Sequence, residues 1–336
     1  MRLVIFFLSL IFTLWAGPIQ INAHSSQKLQ IALMVSPSVV GRYGQSTYNV
    51  ALATLMASRS PFELVLYEMS DESENSIAQA VEKITHDKMD AILAPLTLGG
   101  VKNLLRIQTN KAIFIPTVHK RDIGISPANI IFGAIDYQTQ IEALLPYMAN
   151  SLAIFYDESP VGSHLLHATQ TIASEAKKST AIYSIDTEGS NIVKYLEKPA
   201  AFSKKSVIIH LPVVKTSMLA AHLTFTGAHE HNILSTQINF DPTLITLTQY
   251  KNRKNMIIAN SIIEQVPSIY ETNALMNNDL TFDWINYTTS VGTDYLISYL
   301  NGTQRLYTMR LIDSQVIYPV ELMKPKEFGF EPLGSK

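Results

Sequence analysis

The chain has 336 residues, 47% of them hydrophobic and 16% charged, with 26 Lys and Arg against 28 Asp and Glu. A net charge of −2 offers no basic surface for DNA, RNA or an anionic lipid. Cysteine is absent, which removes disulfides, thiolate catalysis, cysteine metal sites and the lipid-modified cysteine of a lipoprotein.

The first residues read as an export signal. Arg2 precedes an apolar run from Leu3 to Ala16, then Gly17-Pro18 and the small residue Ala23. A basic start, a short apolar stretch and a small residue at its end predict a signal peptide over 1–23, cleaved after Ala23. The run falls short of the roughly 20 apolar residues of a membrane span. The expected mature protein is soluble and periplasmic, with no membrane insertion after cleavage.

Strand-like and helix-like stretches then alternate. Apolar runs at 30–35, 62–69, 90–95 and 112–117 predict four strands. Between them, Tyr48, Leu52, Leu55 and Met56 share one helical face, Ile77, Val81 and Ile84 another, and Val101, Leu104 and Leu105 a third. After the run at 129–136 the alternation restarts, with strands expected at 151–158, 180–186, 206–212 and 231–237 and helices beginning near Val161, Gly189 and Val213. A further strand at 255–262, a helix at 282–300 and a hairpin over 305–322 complete the chain, with Asn301-Gly302 as a helix stop.

This pattern predicts an α/β protein of two lobes, each a parallel sheet flanked by helices, with a cleft between them. The expected partition is 28–133 plus 250–280 for the first lobe and 134–249 plus 281–336 for the second. Chain crossings near Gly133, Phe240 and Leu280 would form the hinge.

Ligands in open α/β sheets gather beyond the carboxyl ends of strands, where loops open helices. That rule selects Ser36, Ser38 and Tyr43 after the first strand, Thr97 after the third, and Thr117 and His119 after the fourth. In the second lobe it selects Asp157 and Gln237. Hydroxyls, amides and helix starts in such loops suit a small polar ligand. Other chemistries find little support. "GRYGQS" (41–46) lacks the Lys-Ser/Thr of a phosphate loop, and G-x-S-x-G is absent. His222, His229, Glu230 and His231 lack the spacing of a helical zinc motif. No catalytic residue, metal or cofactor is expected.

"IALMVSPSVVGRYGQSTYNVALATLM" (31–56) resembles the first strand, loop and helix of the type I periplasmic-binding fold, that of leucine-type solute receptors. "AILAPLTLGGVKNLL" (91–105) is similar to that fold's third strand and turn, "NIIFGAIDYQTQIEALLPYM" (129–148) to its first crossover, and Gly292 and Asp294 to a late G-x-D element. The resemblance implies a non-enzymatic binding protein that clamps a solute for ABC-type transport or sensing, with an inner-membrane permease as partner. It also implies an amino-acid ligand held after the third and fourth strands; Thr97 and Thr117 fit there, whereas Leu98, His119 and Lys120 are bulkier than the pattern. "PLTLGGVKNL" (95–104) and the segment 302–322 are similar as well to the C-terminal domain of lipoprotein activators of penicillin-binding proteins. That second resemblance implies a soluble relative regulating peptidoglycan synthesis by contact with a cell-wall synthase.

Overall fold

The computed structural model describes residues 28–334. The expected signal peptide lies outside them, and among the described residues no helix is long and apolar enough to cross a membrane.

The first βα set runs β1 (Leu29–Val35), α1 (Pro37–Val40), α2 (Arg42–Ser58), β2 (Phe62–Glu68), α3 (Glu74–His86), β3 (Ala91–Leu93), α4 (Leu98–Leu104), β4 (Ala112–Ile115) and β5 (Ile130–Phe132). The second runs α5 (Tyr137–Leu144), β6 (Ser151–Tyr156), α6 (Pro160–Glu175), β7 (Ser179–Ser184), α7 (Ile192–Tyr195), β8 (Ser206–His210), α8 (Val213–Phe225), β9 (Asn232–Ser235), α9 (Pro242–Leu247), α10 (Tyr250–Arg253) and β10 (Met256–Asn260). Then come α11 (Pro267–Leu275), α12 (Trp284–Asn301), β11 (Arg310–Ile312), β12 (Gln315–Ile317), β13 (Glu321–Pro325) and β14 (Phe330–Pro332).

These strands form two seven-stranded sheets, ordered β11-β12-β5-β4-β3-β1-β2 and β14-β13-β10-β9-β8-β6-β7. The central strands pair in parallel, and antiparallel hairpins close one edge of each sheet. Both faces of each sheet are covered, which is why these strands are apolar throughout rather than alternating. In β1, Ile31 and Leu33 join the core under α2 and α12, while Ala32 and Met34 join the core under α3 and α4. In β6, Ala153 and Phe155 face one core, and Leu152 and Ile154 the other.

The expected partition needs correction after residue 250. The β10 strand pairs with β9 and so belongs to the second lobe, whereas α11 and α12 pack on α2 in the first. The chain crosses at Gly133, again between Asn260 and α11, and a third time between β12 and β13. Phe240 and Leu280, expected at crossings, lie instead within the cores of the second and first lobes respectively. Pairing chemistry is the reason. An apolar run such as Met256–Asn260 fits the edge of either half-built sheet, and only the register beside Ile233–Ser235 selects one.

The helix at 42–58 buries Leu55 and packs Tyr48 on the core as expected, but its buried face extends further round than expected and leaves Met56 out. Met56 is 52% exposed, and Thr47, Val50, Ala51 and Thr54 are buried because α11 and α12 pack beside α2. Thr54 Oγ1 there meets Ser290 Oγ at 3.1 Å, and Ser290 meets the Tyr307 hydroxyl at 3.1 Å. The G-x-D element serves packing. Gly292 brings α12 against the Phe114 ring of β4, and the Asp294 carboxylate accepts from the N–H groups of Leu306 and Tyr307 at 3.0 and 3.1 Å. Gly302, at φ 65°, takes the left-handed position that ends α12, where a glycine has no Cβ to strain.

Candidate functional site

The strand ends of the two sheets face each other across a cleft with two chambers. The chamber on the second-lobe side, about 410 Å3, is walled by the ends of β6, β8 and β9 and, from the first lobe, by the starts of α2 and α12. The chamber on the first-lobe side, about 480 Å3, lies between the loops after β4 and β5 and the start of α6. Val161 and Trp284 line both chambers, so the two are parts of one cleft. The Trp284 indole is set edge-on to the Tyr137 ring, 6.5 Å between centroids at 78°.

Of the candidate residues, Tyr43, Asp157 and Gln237 line the 410 Å3 chamber, and Thr117 and His119 line the other. Ser36, Ser38 and Thr97 line neither. The Ser36 hydroxyl is buried 3.0 Å from Ser38 Oγ, and Ser38 Oγ donates to the Ser70 carbonyl at 2.6 Å. That turn fastens the end of β1 to the loop after β2.

Thr97 is occupied from within the chain. It caps α4, accepting from the Gly100 N–H at 3.2 Å, and its own N–H donates to both oxygens of Glu72 at 3.1 Å. Its hydroxyl also donates to Glu72 Oε2. Gly100 is required at this point, because a Cβ there would collide with the same carboxylate. The Thr117 hydroxyl proton is likewise committed, donated to the Leu96 carbonyl at 2.5 Å. Both hydroxyls that the amino-acid pattern singles out are therefore satisfied inside the first lobe.

His119 accepts the Arg121 N–H on Nδ1 at 3.1 Å, and its Nε2 lies 3.8 Å from Asp136. Burial pushes its pKa down against the pull of Asp136, so near neutrality this contact is no ion pair. Burial works against the Asp136 charge too, yet the Thr139 hydroxyl, His119 and Arg121 together hold its carboxyl below the ordinary range. Asp157 pairs with Lys215 at 3.2 Å and accepts from Ser159 Oγ at 2.6 Å.

Gln237 joins the cleft to the hinge. Its N–H donates to Gln140 Oε1 at 2.9 Å, and its Oε1 accepts from the Ser261 N–H at 2.6 Å. Gln140 Nε2 closes the ring on Ser261 Oγ at 2.8 Å. Gln140 follows the first crossing and Ser261 opens the second, so this buried amide ring ties the two connections together. Gln237 Nε2 has no partner among the described residues.

His210, at the end of β8, was not among the candidates. It is 1% exposed, its Nε2 lies 2.7 Å from Thr169 Oγ1, and its Nδ1 has no partner among the described residues. Burial pushes its pKa down to about 3, so the ring is neutral. The sequence carried a signal, since this is the one ionisable residue in an otherwise apolar strand run, "SVIIHLP". Trp284 and Asp283 were missed because their helix was assigned to the second lobe, away from the cleft wall that its first turn forms.

No protein-family model and no curated relative matches the chain by sequence. Solved structures do. An ABC transporter substrate-binding protein from Sphaerobacter thermophilus superposes with a TM-score of 0.69 at 9% identity, covering 92% of this chain and 97% of that one. The chain has the type I periplasmic-binding fold. A leucine-binding protein from Thermotoga maritima superposes with a TM-score of 0.62 at 13% identity over 91% of this chain and 98% of that one. The C-domain of LpoA from Haemophilus influenzae, a regulator of PBP1A, does so with a TM-score of 0.62 at 9% identity over 90% and 99%. At such identities the shared property is the type I fold itself.

Proposed function

We infer that this type I fold works as a non-enzymatic binding protein whose two lobes close over a small polar solute. The observation that carries this reading is the second-lobe wall of the cleft. There, Gln237 Nε2 and His210 Nδ1 are buried without partners among the described residues, and a buried polar group left unpaired typically costs about 1–3 kcal/mol. A solute seated on that wall recovers such a cost. The fold supports the reading as well, since three chain crossings permit hinge closure around a ligand. Substrate-binding proteins of ABC transporters share that fold, and transport or sensing through an inner-membrane permease, after export to a periplasm, is the role we assign. Native mass spectrometry of gently purified protein tests it. A retained small molecule, released on denaturation, is the expected result, and a bare chain from several growth media would refute the reading.

One observation favours a second reading. The first-lobe hydroxyls at Thr97 and Thr117 are satisfied internally, so that jaw offers little to a solute held as in an amino-acid receptor. A protein that regulates a cell-wall synthase by contact, as the similarity to the LpoA C-domain suggests, needs no such jaw. Co-purification of a penicillin-binding protein with the cleft empty would favour it.

A further inference from the structure

The 410 Å3 chamber carries an uneven set of charges. Asp241, Asp279 and Asp283 line it, and none of the three forms an ion pair with a Lys, Arg or His among the described residues. Asp157 is balanced by Lys215, which leaves Arg42 facing three carboxylates. Each of the three has a local task for one oxygen. Oδ1 of Asp241 accepts from the Thr243 N–H at 2.7 Å, that of Asp279 from Thr281 and Phe282 at 2.7 and 3.0 Å, and that of Asp283 from Ile285 and Asn286 at 3.0 and 3.1 Å.

Turn and helix capping explains those bonds. It does not require a charge, because asparagine caps as well as aspartate. Nor does it explain why Tyr43, Phe240, Phe282 and Trp284 bring aromatic side chains to the same chamber. Ring faces carry negative potential, and with carboxylates they form surroundings suited to an organic cation. Burial also holds the Asp283 carboxyl above its ordinary range, with Arg42 the weakest of the influences on it. A cation beside it would reverse that shift.

A separate observation points to a ligand on the same wall. Gln237 is 3% exposed, and its Oε1 is fixed on the Ser261 N–H at 2.6 Å. Its Nε2 has no partner among the described residues, and Gln237 is part of the lining of this chamber. A donor so placed calls for an acceptor on whatever the chamber holds.

We propose that the chamber binds a small alkylammonium compound, its cationic group against Asp279 and Asp283 and a carbonyl or hydroxyl oxygen on Gln237 Nε2. This rests on the reading of the cleft as a solute seat and specifies the class of solute. Because the Gln237 Oε1 holds the second crossing through Ser261, the acceptor contact also links occupancy to the hinge.

Calorimetry on the exported chain with three probes of similar length provides the test: 4-aminobutyramide (a cation with an amide), butyramide (neutral) and succinamate (an anion). The expected result is that 4-aminobutyramide binds at least about tenfold more tightly than the other two, as a charge-assisted bond requires. Equal or tighter binding of butyramide or succinamate overturns the proposal. Asp279→Asn and Asp283→Asn should keep the melting temperature, since the caps survive, and each should weaken 4-aminobutyramide about tenfold or more. Unchanged affinity in both would assign these carboxylates to capping alone. If no probe binds, the solute carried by the purified protein decides: a cationic one supports the proposal, and a neutral or anionic one overturns it while leaving the binding-protein reading intact. A chain with no solute and no closure overturns both.

Discussion

Gly292→Ala tests how tightly α12 is set on the first sheet. The glycine is in ordinary helical conformation, so in a free helix the substitution would stabilise by roughly 1 kcal/mol. Here its new methyl would fall within the Phe114 ring, with Cγ at 2.9 Å and two further ring carbons closer, where carbon contacts normally lie at about 3.5–4.0 Å. The ring has no room to retreat. A Cβ at Gly133 would strike the adjoining Cε1 and Cζ atoms of the same ring, and the Tyr295 ring stands 5.9 Å away between centroids. Overpacking of a closed core costs typically 1–3 kcal/mol, and a clash this deep belongs at the upper end. Subtracting the propensity gain leaves a net loss of about 2 kcal/mol, read from the urea midpoint at constant m-value. Phe114→Leu opens the space that the methyl needs. The double variant should therefore recover a favourable coupling of about 1 kcal/mol or more. A stabilised Gly292→Ala protein, or strict additivity in the double variant, would refute the packing argument.

Other consequences follow from single groups. His210 is neutral in the fold with a pKa near 3 and protonates in the unfolded chain below about 6.5, so the unfolded state binds the extra proton. Its stability contribution is complete above about pH 6.5 and is lost as pH falls toward about 3, by up to about 1.4 kcal/mol per unit; denaturant titrations of the native protein and His210→Gln should diverge in slope across that window. Thr97→Ala removes the cap of α4 and a bond to Glu72, and should cost about 1–2 kcal/mol in thermal unfolding without changing solute affinity. A selective loss of affinity would instead place Thr97 in the binding surface. Asp294→Asn weakens the acceptor for two backbone N–H groups, and should cost about 1–2 kcal/mol and speed amide exchange at Leu306 and Tyr307.

The alternation of strands and helices was legible because parallel strands covered on both faces are continuous apolar runs, as in Ile31–Val35 and Val207–Ile209. The assignment of 250–336 to lobes was not. Nothing local in Met256–Asn260 names its neighbour, and α12 reveals its lobe only through contacts with α2, β3 and β4, all far earlier in the chain. Strand-end loops led to Tyr43, Asp157 and Gln237 but gave no sign that Glu72, 25 residues before Thr97, reaches the start of α4. Hydroxyl residue types in a loop do not say whether the hydroxyl is free. Gln237 shows the reverse limit: its place beyond β9 was readable, while its division between hinge and cleft depends on Gln140 and Ser261 arriving from two other segments.

Small-angle X-ray scattering of the protein, with and without a pool of small solutes and with the proposed alkylammonium probe, tests the central claim most directly. A clamp that closes on its ligand should shrink in radius of gyration when the right solute is present, because the solute favours the closed form by its differential affinity for the two states. The account predicts that contraction, and predicts that it weakens in Asp279→Asn and Asp283→Asn. Identical scattering curves with every pool, from protein that also retains no solute, would contradict it.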